Sequence, residues 1–96
     1  MMLTFVSGKV PVRKRDELEA AYAYLKEVAL PVGVVRSFLV RARNDPSVYM
    51  VVAEWKSREA FDRYISQVKS LRTQRIFRKL GIEPESVIYD LVDTLP

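Results

Sequence analysis

The sequence contains no cysteine and no histidine. The first absence excludes disulfides, thiolate metal sites and a cysteine nucleophile. The second removes the commonest metal ligand and the commonest general base near neutral pH. Only three glycines are present, Gly8, Gly33 and Gly81, and they stand too far apart for a phosphate-cradling loop. No apolar run approaches the roughly 20 residues of a membrane span. The first residues lack the charged lead, apolar stretch and small-residue cleavage site of a secretory signal, so a cytoplasmic location is expected. There is no repeat, linker or low-complexity segment, which predicts one domain over residues 1–96.

What is present has the balance of a small globular protein: 96 residues, 49% hydrophobic and 29% charged, with a net charge of +4. A chain of this size buries only about 60% of its unfolded surface, so a core built by one copy alone is marginal.

Residues Met1 to Val12 read as a strand carrying Leu3, Phe5, Val6, Val10 and Val12, with Pro11 near its end. Arg13 to Ala29 reads as a helix, with Leu18, Ala21, Tyr22, Leu25, Val28 and Ala29 on one face. Asp16, Glu17 and Glu19 lie toward its start, where the helix dipole favours acids, and Pro31 and Gly33 stop it. Val34 to Arg43 and Val48 to Lys56 are strands joined by the turn Asn44-Asp45-Pro46-Ser47, hence a hairpin. Ser57 is an N-cap for a helix with Phe61, Tyr64, Ile65, Val68 and Leu71 on its apolar stripe. Lys69 to Leu80 continues this helix or forms a second short one, with a bend near Arg72-Thr73-Gln74-Arg75 and a cap at Gly81. Ser86 to Leu95 is the last strand. The order β-α-β-β-α-β is ferredoxin-like: an α+β fold with an antiparallel four-stranded sheet.

Two helices cover one face of such a sheet, and the other should then be polar. These strands are apolar on both. Val48, Met50 and Val52 oppose Tyr49, Val51, Ala53 and Trp55. Val87, Tyr89 and Leu91 oppose Ile88 and Val92, and in the second strand Val34, Phe38 and Val40 oppose Val35 and Leu39. A second copy is the simplest cover, so a homodimer is expected; the alternative is a monomer with an adhesive sheet.

The segment Val48-Tyr-Met-Val-Val-Ala-Glu54-Trp55-Lys-Ser57-Arg-Glu59-Ala60-Phe61-Asp-Arg-Tyr64 resembles the antibiotic biosynthesis monooxygenase family. A strand ends in Glu-Trp, a serine caps the next helix, and Glu-Ala-Phe opens it. The resemblance spans the chain in element order and length. It implies a dimeric α+β barrel with a ligand pocket between sheet and helices, and an activity of the cofactor-free, quinone-forming kind on a small aromatic substrate. Haem-degrading members carry an asparagine on the first strand and a tryptophan and a haem-ligating histidine on the helix after the third. Here Ser7 and Gly8 stand in the first strand, Tyr64 stands near that tryptophan's place, and the chain has no histidine, so no cofactor is expected.

Three residues are the candidate catalytic set under this resemblance. Trp55 would stack on an aromatic substrate, or else anchor the following helix as a core residue. Tyr64 would hydrogen-bond a phenolic or quinone oxygen, or else be an amphipathic side chain with a wet tip. Arg36 would stabilise a bound phenolate, or else pair with Glu54 on the neighbouring strand. Tyr22, Tyr49, Tyr89 and Asp90 are weaker candidates. Lys69, Arg72, Arg75, Arg78 and Lys79 bring five positive charges without an acid. They read as a solvated face that draws small anions, and nucleic acid is not the expected partner for want of exposed aromatics beside them. A non-catalytic ligand-binding module is the other reading of the fold.

Overall fold

Proline at position 11 ends the first strand earlier than its apolar residues suggest. β1 runs over Met2–Lys9, and Pro11 (φ −57°, ψ 147°) opens a 3-10 turn at Val12–Lys14 that leads into α1, Arg15–Leu25. The computed structural model describes residues 1–28 and 30–95. The helix expected to reach Ala29 therefore ends four residues short of it, and Ala29 itself lies outside the described residues. β2 (Val34–Arg41) and β3 (Val48–Trp55) form the expected hairpin. Its turn is held by Asp45, whose Oδ1 accepts from the Ser47 amide at 3.1 Å and from its hydroxyl at 2.6 Å.

α2, Arg58–Val68, starts at Ser57, whose Oγ accepts from the Ala60 amide at 3.1 Å. It ends at Lys69, which adopts a left-handed conformation with φ 65°. The helical pattern beyond is therefore a separate element, α3 (Arg72–Arg78). Gln74 Oε1 accepts from the Leu71 amide at 3.0 Å and caps its start. The last strand, β4, covers Glu85–Asp90 only. The strand expected to reach Leu95 stops because, among the described residues, just one further bond, Leu91 N to Met1 O at 3.0 Å, extends the ladder.

The sheet has the antiparallel order β2-β3-β1-β4, as the ferredoxin-like reading requires. Met2, Thr4, Val6 and Gly8 pair with Trp55, Ala53, Val51 and Tyr49 and face the helices. They build a core with Leu18, Phe61, Leu71, Ile76 and Phe77. Gly8 is required there, because a Cβ would stand 2.8 Å from the Phe77 ring.

β2 departs from strict alternation. A bulge between Val34 and Arg36 lets Val34 pair with Trp55 while Arg36 pairs with Glu54. Val34 thus joins Leu39 against the core instead of sharing a face with Phe38 and Val40. The extra residue of a bulge shifts side-chain parity, and nothing in the composition of Val34-Val35 announces it.

The opposite face is uncovered. Its central row is Phe38, Val52, Phe5 and Val87, in register across all four strands. Phe38 is 37% exposed, Val87 44% and Tyr89 55%. The described residues include no helix long and apolar enough to cross a membrane.

Candidate functional site

Between the sheet and the helices lies a partly open cavity of about 790 Å³, within the range of small-molecule sites. Its floor is Thr4, Ala53 and Trp55; its walls come from β2, from the C-terminal half of α1 with Val28, and from Tyr64 and Leu71. Apolar side chains make up more than half of the lining; the residues with polar groups are Thr4, Glu19, Tyr22, Lys26, Arg36, Ser37, Tyr64, Arg72 and Thr73.

Trp55 is 2% exposed. Its indole N–H donates to Thr4 Oγ1 at 3.1 Å, and its ring meets Phe61 edge-on with centroids 5.1 Å apart. Tyr64 leans over it at 5.6 Å and 36°. Trp55 is therefore both core anchor and cavity wall, with its donor already used. Tyr64 differs: its hydroxyl is buried and has no hydrogen-bond partner among the described residues. Such a hydroxyl carries a desolvation cost that a bound acceptor or donor would remove.

Arg36 borders the cavity, but its guanidinium lies on the open face. Its Nε donates to Glu54 Oε1 at 2.8 Å, and its Cζ stands 5.3 Å from the centroid of the Phe38 ring. The structure brings Trp55 and Tyr64 together and sets the charge of Arg36 apart from them. The Arg36–Glu54 pair foreseen from strand adjacency is present.

Three further polar groups belong to the site and carry no distinct sequence signal. Ser37 Oγ is 3.1 Å from the Tyr22 hydroxyl, Thr4 holds the indole, and Glu19 Oε2 accepts from the Tyr49 hydroxyl at 2.5 Å. Glu19 reads as a dipole-favoured helix acid, and only its spacing from Tyr22, three residues on, places the two on adjoining sides of α1. Among the described residues no group of acids could hold a metal ion.

Tyr49 is 2% exposed. Burial raises its phenol above the ordinary value near 10, and the bond to the Glu19 carboxylate raises it further, against a smaller opposing effect of Arg41. The unfolded phenol therefore loses its proton first as pH climbs. The resulting stability is complete below pH 10 and is lost as pH rises through the folded value. As pH climbs past 10, stability should fall less steeply in Tyr49→Phe than in the parent; superimposable slopes would refute the assignment.

A family model described as antibiotic biosynthesis monooxygenase matches residues 3–75. No curated protein matches the chain. Among solved structures, a candidate antibiotic biosynthesis monooxygenase from Deinococcus radiodurans superposes with a TM-score of 0.79 at 8% identity, covering 100% of this chain and 97% of that one. A mutant of SnoaB, a cofactor-independent oxygenase from Streptomyces nogalater, is 25% identical, with a TM-score of 0.71 over 99% of this chain and 97% of its own. MhuD carrying two manganese protoporphyrin IX molecules per active site is 20% identical, with a TM-score of 0.71 over 100% and 99% of the two chains.

Proposed function

Because the chain belongs to the antibiotic biosynthesis monooxygenase family, whose model covers residues 3–75, we propose that it is a homodimeric, cofactor-free oxygenase. Its substrate is a small electron-rich aromatic, held between sheet and helices. The observation that carries this reading is the buried, unpartnered hydroxyl of Tyr64 in the wall of a largely apolar cavity.

In the proposed reaction a phenol gives up its hydroxyl proton, and the electron-rich ring is oxidised directly by O2. One oxygen atom replaces a ring C–H as a new carbonyl, and the other leaves as water carrying both hydrogens. A phenol plus O2 thus yields a quinone plus H2O, with the substrate supplying all the electrons. Tyr64 donates to the phenolate oxygen as negative charge builds on it. Trp55 gives the ring an aromatic wall. The chain has no histidine to ligate haem iron, which favours this route over the porphyrin chemistry suggested by MhuD. Arg36 is assigned to the dimer-facing surface, where its partner Glu54 already neutralises it.

Purified protein with a panel of naphthols and other phenols that keep a ring C–H para to the hydroxyl, and no added cofactor, should consume oxygen faster than the same phenols in buffer alone. Tyr64→Phe should lower kcat/KM by roughly 10- to 100-fold, the size of one hydrogen bond to a charged group, while leaving thermal stability unchanged or slightly higher, since it removes an unsatisfied buried hydroxyl. Ligand binding without oxygen uptake would assign a non-catalytic binding module instead.

A further inference from the structure

A second hollow of about 620 Å³ lies between α1 and α3, lined by Ala21, Tyr24, Leu25, Val28, Arg72, Arg75, Ile76 and Lys79. It shares Leu25, Val28 and Arg72 with the main cavity, so the two adjoin at the end of α1. Three of its lining residues are cations and none is an acid. Arg75 and Lys79 are exposed, and neither is in an ion pair among the described residues. The basic residue Lys26 stands on the rim of the main cavity as well.

We infer that the aromatic substrate carries an acidic side arm, a carboxylate or a phosphate, which lies in this second hollow against Arg75 and Lys79 while the ring occupies the main cavity. The inference rests on the ligand-binding reading of that cavity. Its support is the joining of two unlike surfaces: an apolar chamber suited to a ring, and beside it a cationic hollow with an aliphatic floor. Arg75 and Lys79 are four residues apart, so like charges face each other at a mildly unfavourable spacing. A bound anion between them removes that repulsion, and a guanidinium presents paired donors that match a carboxylate or phosphate edge. The one partly exposed aromatic there, Tyr24 at 62% exposure, is too little to stack successive bases. This makes a small acid a better fit than a nucleic-acid strand.

Calorimetric titration with 2-naphthol, 6-hydroxy-2-naphthoate and 2-naphthyl phosphate tests it. Emission from Trp55, the one tryptophan of the chain, reports entry to the main cavity. At low salt at least one of the acids should bind about tenfold more tightly than 2-naphthol, the size expected of two exposed charge contacts. The margin should vanish in Arg75→Ala/Lys79→Ala, with 2-naphthol binding unchanged, and shrink as salt is raised. If 2-naphthol binds but the acids gain nothing, or the gain survives the double substitution, this inference alone falls. If no probe perturbs Trp55, the cavity reading falls and takes it along. Tight binding of a single-stranded oligonucleotide, lost in the double variant and accompanied by no preference for the acids, would overturn it in favour of nucleic acid.

Discussion

Trp55→Ala is expected to lower the free energy of unfolding by about 3–5 kcal/mol. The indole is 2% exposed and occupies the end of the central strand β3. Substitution removes its packing on Phe61 and Tyr64 and strips Thr4 of the N–H that its hydroxyl accepts. It also leaves a void on the floor of an existing cavity, where the neighbours have little means of collapsing inward. A domain of this size has about 5–15 kcal/mol in hand, so the melting point should fall by about 15–30 °C. Denaturant unfolding followed by far-UV circular dichroism gives the number, since the variant has no tryptophan to follow. A loss under about 1 kcal/mol would mean that Trp55 is a surface aromatic and that the core is elsewhere. Trp55→Phe keeps much of the volume and should cost less than half as much, which separates packing from the loss of the hydrogen bond to Thr4.

The second large effect concerns the uncovered sheet face. The parent should sediment at micromolar concentration as a particle of twice 11.1 kDa, and Phe38→Glu/Val87→Glu should sediment as a single 11.1 kDa chain. These two positions are 37% and 44% exposed in the isolated subunit, so the glutamates are solvated in a monomer and cost its fold little. In a two-fold dimer each side chain would be pressed into an apolar row with Phe5 and Val52. Burying an unpaired carboxylate costs several kcal/mol, and two per subunit shift the dissociation constant by at least about a thousandfold. A parent that runs as 11.1 kDa would end the dimer proposal. So would a double variant that still runs at twice that mass.

Much of the fold could be read from the chain because its signals are local. The Asp45-Pro46-Ser47 turn, the Ser57 cap and the strand residues each carry their own chemistry, and together they dictate element order. Glu54 was identifiable as the partner of Arg36 because adjacent hairpin strands place opposite charges within reach. The proximity of Trp55 and Tyr64 followed from a strand end and the helix it feeds. What escaped was non-local or conformational. The break at Lys69 is a left-handed residue that no glycine marks. β4 ends at Asp90 although Val92 and Leu95 are apolar, because no neighbouring strand among the described residues reaches them. The Tyr22–Ser37 and Glu19–Tyr49 contacts join α1 to β2 and β3, and their residue types are ordinary for a helix and a strand. The side on which the Arg36 charge falls depends on the bulge, which the residues themselves do not signal.

That bulge gives β2 a supernumerary residue. Arg36 and everything after it already pair correctly with β3, and one valine suffices opposite Trp55. Removing Val35 should leave both surfaces of the strand facing as they do now, whereas loss of a single residue anywhere later in β2 would invert the rest. Since Val35 also borders the main chamber, the chain has at this point a spot where length can change and the chamber be reshaped while the architecture stays put.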